Sequence, residues 1–262
     1  MAAEAGAIDP MGQFRVNPIL GADWSIAGHN IAFTNSAAFM VIVLVAMWVF
    51  MLGGMKRQLV PGRWQAAVEI MTDFVASMIE SNIGPKGKRF TPYVFSLFMF
   101  ILLANVIGLF PLAIIPGVHA FTVTSHITVT GILAIMSFSI VLIVGFLKHG
   151  FHFFSLFIPH GTPVVLIPLI FLIELVSFMV RPFSLGLRLF VAMTAGHILL
   201  DVFASFVIQG INSGTVIGPI VSLLSFVMII GVSALEILVA LIQAYVFALL
   251  TSLYLNDAIN LH

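Results

Sequence analysis

Long apolar runs broken by short polar stretches dominate this chain. No charged residue occurs from 31 to 55. That length suffices for a tilted crossing of ~30 Å of hydrocarbon, so the pattern predicts a first membrane helix over about 31–55. Residues 64–83 read differently. Glu69, Asp73 and Glu80 fall near one face, and Trp64, Val68, Phe74, Val75, Met78 and Ile79 surround the rest. Such amphipathicity suits a helix lying in the membrane interface rather than crossing it. Further apolar runs predict helices over about 91–115 and 121–148, joined by a loop around Pro116-Gly117. The remainder divides into runs over 163–209 and 219–256, with a break from Gly210 to Gly214 and on to Gly218-Pro219. Each of these two is longer than a bilayer is thick, so the hairpin must tilt or kink. The fold class is an all-α polytopic membrane protein: about five transmembrane helices, one interfacial amphipathic helix and a long tilted C-terminal helix hairpin. Residues 1–30 form an extracytoplasmic N-terminal segment, and 31–262 a single membrane domain.

Composition agrees. Apolar residues make up 61% of the 262 and charged ones 8%, with a mean hydropathy of +1.20. Soluble domains carry about 25% charged residues, so a water-soluble fold of this length lacks a polar skin. Ten basic and ten acidic residues balance, which argues against a nucleic-acid partner. The absence of cysteine excludes disulfides and thiolate metal sites. No motif for a cofactor or a metal stands out. Six basic residues (Lys56, Arg57, Arg63, Lys86, Lys88, Arg89) lie between the first span and the next, and Lys148 follows the helix over 121–148. The positive-inside rule makes both connections cytoplasmic, the N-terminus periplasmic and the C-terminus cytoplasmic.

The chemistry concentrates in the terminal hairpin, where Glu174, Arg181, Arg188, Asp201 and Glu236 interrupt otherwise apolar sequence, with His197 among them. A charge at a helix centre costs about 2.5–3.5 kcal/mol, so such groups face an interior, a wet cavity or a partner. At 100° per residue, Glu174, Arg181 and Arg188 fall within about 40° of one another, with Ser177 and Ser184 on the same stripe. His197, nine residues beyond Arg188, points almost opposite, flanked by Thr194 and Asp201. Glu236 and Gln243 share a face of the last helix. Antiparallel packing across the 210–219 turn brings Glu236 within reach of the His197 region. A histidine beside a carboxylate is a plausible proton relay, with a static buried pair as the alternative. Arginine cannot pass a proton on, so Arg188 blocks direct flow between the two polar faces and attracts a carboxylate brought past it. No mobile carboxylate is evident in this chain, so a partner must supply one.

Ser184-Leu185-Gly186-Leu187-Arg188-Leu189-Phe190 followed by Ala195-Gly196-His197 resembles the signature of subunit a of the F-type ATP synthase membrane sector. Glu236 and Leu241 through Phe247 resemble its last-helix motif. Asn105 within Ala104–Pro111 resembles its third-helix motif. The resemblance implies a proton-translocating stator subunit, not itself an enzyme, with two offset half-channels that load and unload the carboxylates of a c-subunit ring. It implies Arg188 facing the ring carboxylate, His197 and Glu236 lining the outer half-channel, Glu174 in the cytoplasmic half-channel near Ser184, Gln243 holding Arg188, and Asn105 and Asp201 also among the proton-translocation residues. The partners implied are the c-subunit ring, b-type peripheral stalk subunits, the other ATP synthase subunits, the lipid bilayer and protons. The location implied is a bacterial inner membrane, the mitochondrial inner membrane being the alternative. Ala192 departs from the family, many of whose members carry Asn there.

Other classes fit less well. An ATP-hydrolysing pump needs a phosphate loop, and no Gly-x-x-x-x-Gly-Lys-Ser/Thr occurs. An intramembrane metalloprotease needs His-Glu-x-x-His, and a haem carrier needs paired buried histidines. A stand-alone transporter predicts broken helices at mid-membrane and internal repeat symmetry, and no repeat is visible.

Overall fold

The computed structural model describes residues 16, 18–20, 25–26, 29–30, 32–55, 60–109, 122–157 and 166–260. Six α-helices dominate: α1 Asn35–Gly54, α2 Arg63–Ile83, α3 Thr91–Leu109, α4 Ile127–His149, α5 Ile167–Asn212 and α6 Gly218–Ile259. Two short antiparallel pairs precede them, Pro18–Leu20 with Phe33–Thr34 and Ser25–Ile26 with His29–Asn30. The start of the first span at 31, the end of the third at 110–115, the Pro116-Gly117 loop and the start of the fifth at 163 lie outside the described residues.

Local chemistry sets the helix ends. Thr34 Oγ1 and Asn35 Oδ1 accept from the backbone N–H groups of Ala37 (3.4 Å) and Ser36 (2.9 Å), and so satisfy donors that the first turn of α1 leaves open. α2 buries Val68, Val75, Met78, Ile79 and Ile83, at helical spacing, and exposes Glu69, Asp73 and Glu80. Trp64, Ile70 and Phe74 are exposed beside those carboxylates. An element polar and apolar on one outer surface is what an interface accommodates. Pro85 follows it and opens a 3₁₀ stretch, Pro85–Phe90, that leads into α3.

Five segments are long and apolar enough to cross a membrane: Asn35–Gly54, Pro85–Leu109, Ile127–Phe157, Ile167–Asn212 and Gly218–Ile259. This is a membrane protein. With 46 and 42 residues, α5 and α6 are about 69 and 63 Å long at 1.5 Å per residue, twice the ~30 Å hydrocarbon thickness.

Two boundaries differ from the sequence expectation. The helix predicted over 121–148 begins at Ile127, because Val123–Ser125 forms a 3₁₀ turn instead. The cause is a cluster of short hydroxyl side chains that bond locally or into the protein: Ser125 Oγ donates to the Thr122 carbonyl (2.6 Å), and Thr124 Oγ1 to Asn105 Oδ1 (2.7 Å). Such side chains offer the backbone an alternative to the helix ladder. The break expected at Gly210 falls later. α5 runs on to Asn212, and α6 begins at Gly218 and continues to Ile259. Ser213 Oγ donates to the Gly210 carbonyl (2.9 Å), and Ser222 Oγ crosses the turn to the Val207 carbonyl (2.9 Å).

The chain divides into two compact units. The first comprises Met1–Val45, Leu102–His126 and Phe190–Gln243. Its interior holds Met193, Ala240 and an unusual density of buried polar groups, Asn105, Thr122, Thr124, Ser125, His197 and Glu236. The second comprises Ala46–Ile101, Ile127–Leu189 and Ala244–His262. Aromatic packing organises it: Phe153 meets Phe146 at 4.9 Å between ring centroids and Phe178 at 6.1 Å, and Phe138 meets Phe178 at 4.9 Å. Asn82 Nδ2 donates to Ser252 Oγ (2.8 Å), which ties interfacial α2 to α6.

Candidate functional site

In the first unit, α5 and α6 bring His197 and Glu236 together. His197 Nδ1 lies 2.6 Å from Glu236 Oε1 and 3.0 Å from the Met193 carbonyl. Its Nε2 lies 2.6 Å from Thr122 Oγ1, in a hydrogen bond whose direction follows the imidazole tautomer. His197 is 8% exposed and Glu236 2%. A carboxylate this deeply buried is costly unless it shares a proton or a positive charge, and the imidazole supplies both options. Glu236 Oε2 makes no hydrogen bond among the described residues.

Two glycines make the approach possible. A Cβ built on Gly196 lies 2.5 Å from Glu236 Oε1, and one built on Gly108 lies 2.5 Å from Thr122 Oγ1. Side chains at these positions would occupy the space of the groups that flank the imidazole. Asn105, fully buried, braces the same region. Its Nδ2 donates to the Ala240 carbonyl (3.1 Å), one turn after Glu236, and its Oδ1 accepts from Thr124. Both ends of the amide are satisfied, each bond contributing about 1 kcal/mol. Thr194 Oγ1 donates to the Ser125 carbonyl (3.4 Å). Asp201, half-buried and one turn beyond His197, lies within electrostatic reach of both His197 and Glu236. His126, just ahead of α4, is half-buried, and desolvation pushes its imidazole below its ordinary value.

The second unit holds the remaining predicted residues. Arg181 Nη1 donates to Asp257 Oδ2 at 2.7 Å, which joins α5 to the end of α6. Its guanidinium also lies over the rings of Phe178 and Tyr254, at 5.4 and 5.2 Å. Glu174 and Ser184 are half-buried. Arg188 is exposed and makes no hydrogen bond or ion pair among the described residues. Its helix presents Ile173, Val176, Val180 and Phe183 outward as well. Gln243, closing the first unit, is buried, and its Nε2 has no hydrogen-bond partner among the described residues.

Sequence reasoning located His197 and Glu236 and their proximity, but missed three contributors. Thr122 and Thr124 sat inside what reads as an apolar helix, where threonine carries little signal. Asp257 lies in the last turns of α6, beyond the expected helix end at 256. Its spacing gave no hint of Arg181, 76 residues earlier.

A family model described as ATP synthase A chain matches residues 36–256. The chain belongs to this family. ATP synthase subunit a of Rhizorhabdus wittichii is 70% identical over the full length of both chains. ATP synthase subunit a of Erythrobacter litoralis is 66% identical over all of both chains, and that of Zymomonas mobilis 57% identical over 99% of this chain and all of its own. Membership in the ATP synthase A chain family accounts for a chain with no phosphate loop, since its place is within the ATP synthase complex. It also matches the sequence resemblance carried by Arg188, His197 and Glu236.

Proposed function

We propose that this chain is the proton-translocating stator subunit of a rotary ATP synthase, non-catalytic itself, whose two offset half-channels load and unload the carboxylates of a c-subunit ring. The observation that carries the reading is the buried contact of His197 with Glu236 at 2.6 Å, continued by Thr122. The carboxyl and the imidazole can each hold a proton and release it, and the hydroxyl can relay one by exchange. A proton on Glu236 passes to His197 Nδ1, and the Nε2 proton passes to the hydroxyl of Thr122 as that hydroxyl gives up its own proton to water in the half-channel; the reverse sequence restores the starting state. Asp201, one turn beyond His197, adds a further polar group within electrostatic reach of this path. Asn105 keeps α3 and α6 in register around this path. On the other side of the scheme, Glu174 and Ser184 form the polar face of the cytoplasmic half-channel.

Arg188 separates the two paths. A guanidinium is a permanent cation with no lone pair to take up a proton, so it breaks a proton relay. An exposed cation among outward apolar residues needs a counter-charge from outside the chain, and a ring carboxylate supplies it. At an effective dielectric of ~20 and 4 Å, that attraction is about 4 kcal/mol, enough to favour the ionised carboxylate there. Gln243, whose amide nitrogen has no hydrogen-bond partner among the described residues, is the donor assigned to restrain that encounter. The b-type stalk subunits hold the chain against the ring's torque. The basic residues Lys86, Lys88, Arg89 and Lys148, read with the positive-inside rule, support an N-terminus in the periplasm and a C-terminus in the cytoplasm of a bacterial inner membrane.

The test is Arg188→Ala in the assembled complex, with ATP synthesis driven by an imposed proton gradient in inverted membrane vesicles. Synthesis should vanish while subunit stoichiometry stays intact. Near-normal synthesis refutes the role.

A further inference from the structure

At the end of α4 opposite its hydroxyl-rich start, the second unit carries a groove that no proton path uses. It encloses ≈ 490 Å³ and is lined by Arg89, Phe90, Val144, Leu147 and Lys148. Two elements build it, the 3₁₀ stretch before α3 and the last turns of α4. Its wall is apolar, with Leu147 83% exposed. Its cationic side is formed by Arg89 and Lys148, and Lys86 is close enough for its charge to act on Lys148. No carboxylate lines it among the described residues.

The level of the groove follows from α4. No charged residue occurs from Ile127 to Leu147, and Lys148 and His149 then end the helix. That change marks where hydrocarbon gives way to headgroups. Lys148 Nζ donates to the Ile259 carbonyl at 2.6 Å, so one cation is anchored at this depth rather than free to extend into water. The adjoining Gly150–Phe157 stretch exposes Phe151 and Phe154. A soluble anion has no use for such a wall. An amphiphile with a phosphate at one end and acyl chains at the other matches both halves.

We propose that this groove is a binding site for an acidic phospholipid, its phosphate held by Arg89 and Lys148 and an acyl chain laid along Val144 and Leu147. Basic pockets at the ends of membrane helices recognise anionic headgroups in this way, each cation contributing about a fivefold gain in affinity. The attraction is partly exposed, so it weakens with ionic strength.

The experiment uses the intact complex, purified in detergent and incubated with cardiolipin or with phosphatidylcholine, the retained lipid being counted by native mass spectrometry. Arg89→Gln lies outside the Lys148–Ile259 contact, and should lower cardiolipin retention about fivefold. Arg89→Gln combined with Lys148→Gln should lower it further. Phosphatidylcholine retention should not change, and Arg63→Gln, outside the groove, should behave as wild type. Equal cardiolipin retention by wild type and both variants overturns the proposal. So does complete displacement by inorganic phosphate, which would make the site one for a soluble anion. Cross-linking of Lys148 to an acidic segment of another subunit in the lipid-replete complex would likewise overturn it.

Discussion

Gly196 shows how much one missing methyl group decides. Its backbone lies against the Glu236 carboxylate, and any Cβ would stand 2.5 Å from Oε1. Gly196→Ala should therefore displace the carboxylate from His197 without removing any ionisable group. A misplacement of about 1 Å in a proton-transfer pair costs up to a hundredfold in rate, so proton uptake by energised vesicles should slow at least about tenfold. Glu236→Gln should slow uptake as well, by removing the proton site itself. Unchanged uptake in both would leave a static pair as the better description. His126 carries a pH signature of its own. Burial holds its folded pKa below the ordinary 6.5, so the unfolded state binds the proton first as pH falls. Stability is unaffected above the unfolded pKa and declines as pH drops below it, until the folded imidazole also protonates. The thermal midpoint of the complex should thus fall between pH 7 and pH 5, and His126→Gln should flatten that slope.

Helix positions were legible in the sequence wherever lipid or interface imposed a clear pattern. α1 lacks charge throughout, and α2 alternates its carboxylates with Val68, Val75 and Ile79, so both could be read with little ambiguity. The start of α4 could not. Thr122, Thr124 and Ser125 are compatible with a helix, and besides the local Ser125 bond it is the amide of Asn105 and the ring of His197, contributed from distant sequence, that make the 3₁₀ turn preferable. The Arg181–Asp257 link was hidden for a similar reason. Each residue looked like a helix-end charge, and nothing local announced the pairing of α5 with α6. With side chains 28% and 35% exposed, the pair is a partly solvated contact of modest strength. Its value is geometric: it fixes where the end of α6 meets α5 two turns before Arg188. Arg181→Asp or Asp257→Arg alone should reduce the yield of assembled complex, and the double exchange should recover a substantial part of it. Equal yields in all three would deny the link a role in assembly.

The whole chain is a surface waiting for other subunits as much as a fold. Helix α5 turns Ile173, Val176, Val180 and Phe183 outward together with Arg188. In the proposed stator, the polar regions around Glu236 and around Glu174 belong to a single path only when a carrier moves charge from one to the other. The purified chain in liposomes without c subunits should accordingly show no proton flux above that of empty vesicles under an imposed potential. Robust flux by the isolated chain would make it a self-contained transporter. The exposure of Arg188 also bears on biogenesis. On the proposed function, a newly inserted chain presents that guanidinium to acyl tails until the ring arrives, a burden of roughly 2.5–3.5 kcal/mol. Orphan copies synthesised in excess of ring subunits are the least settled in the bilayer, and quality-control proteases would clear them first.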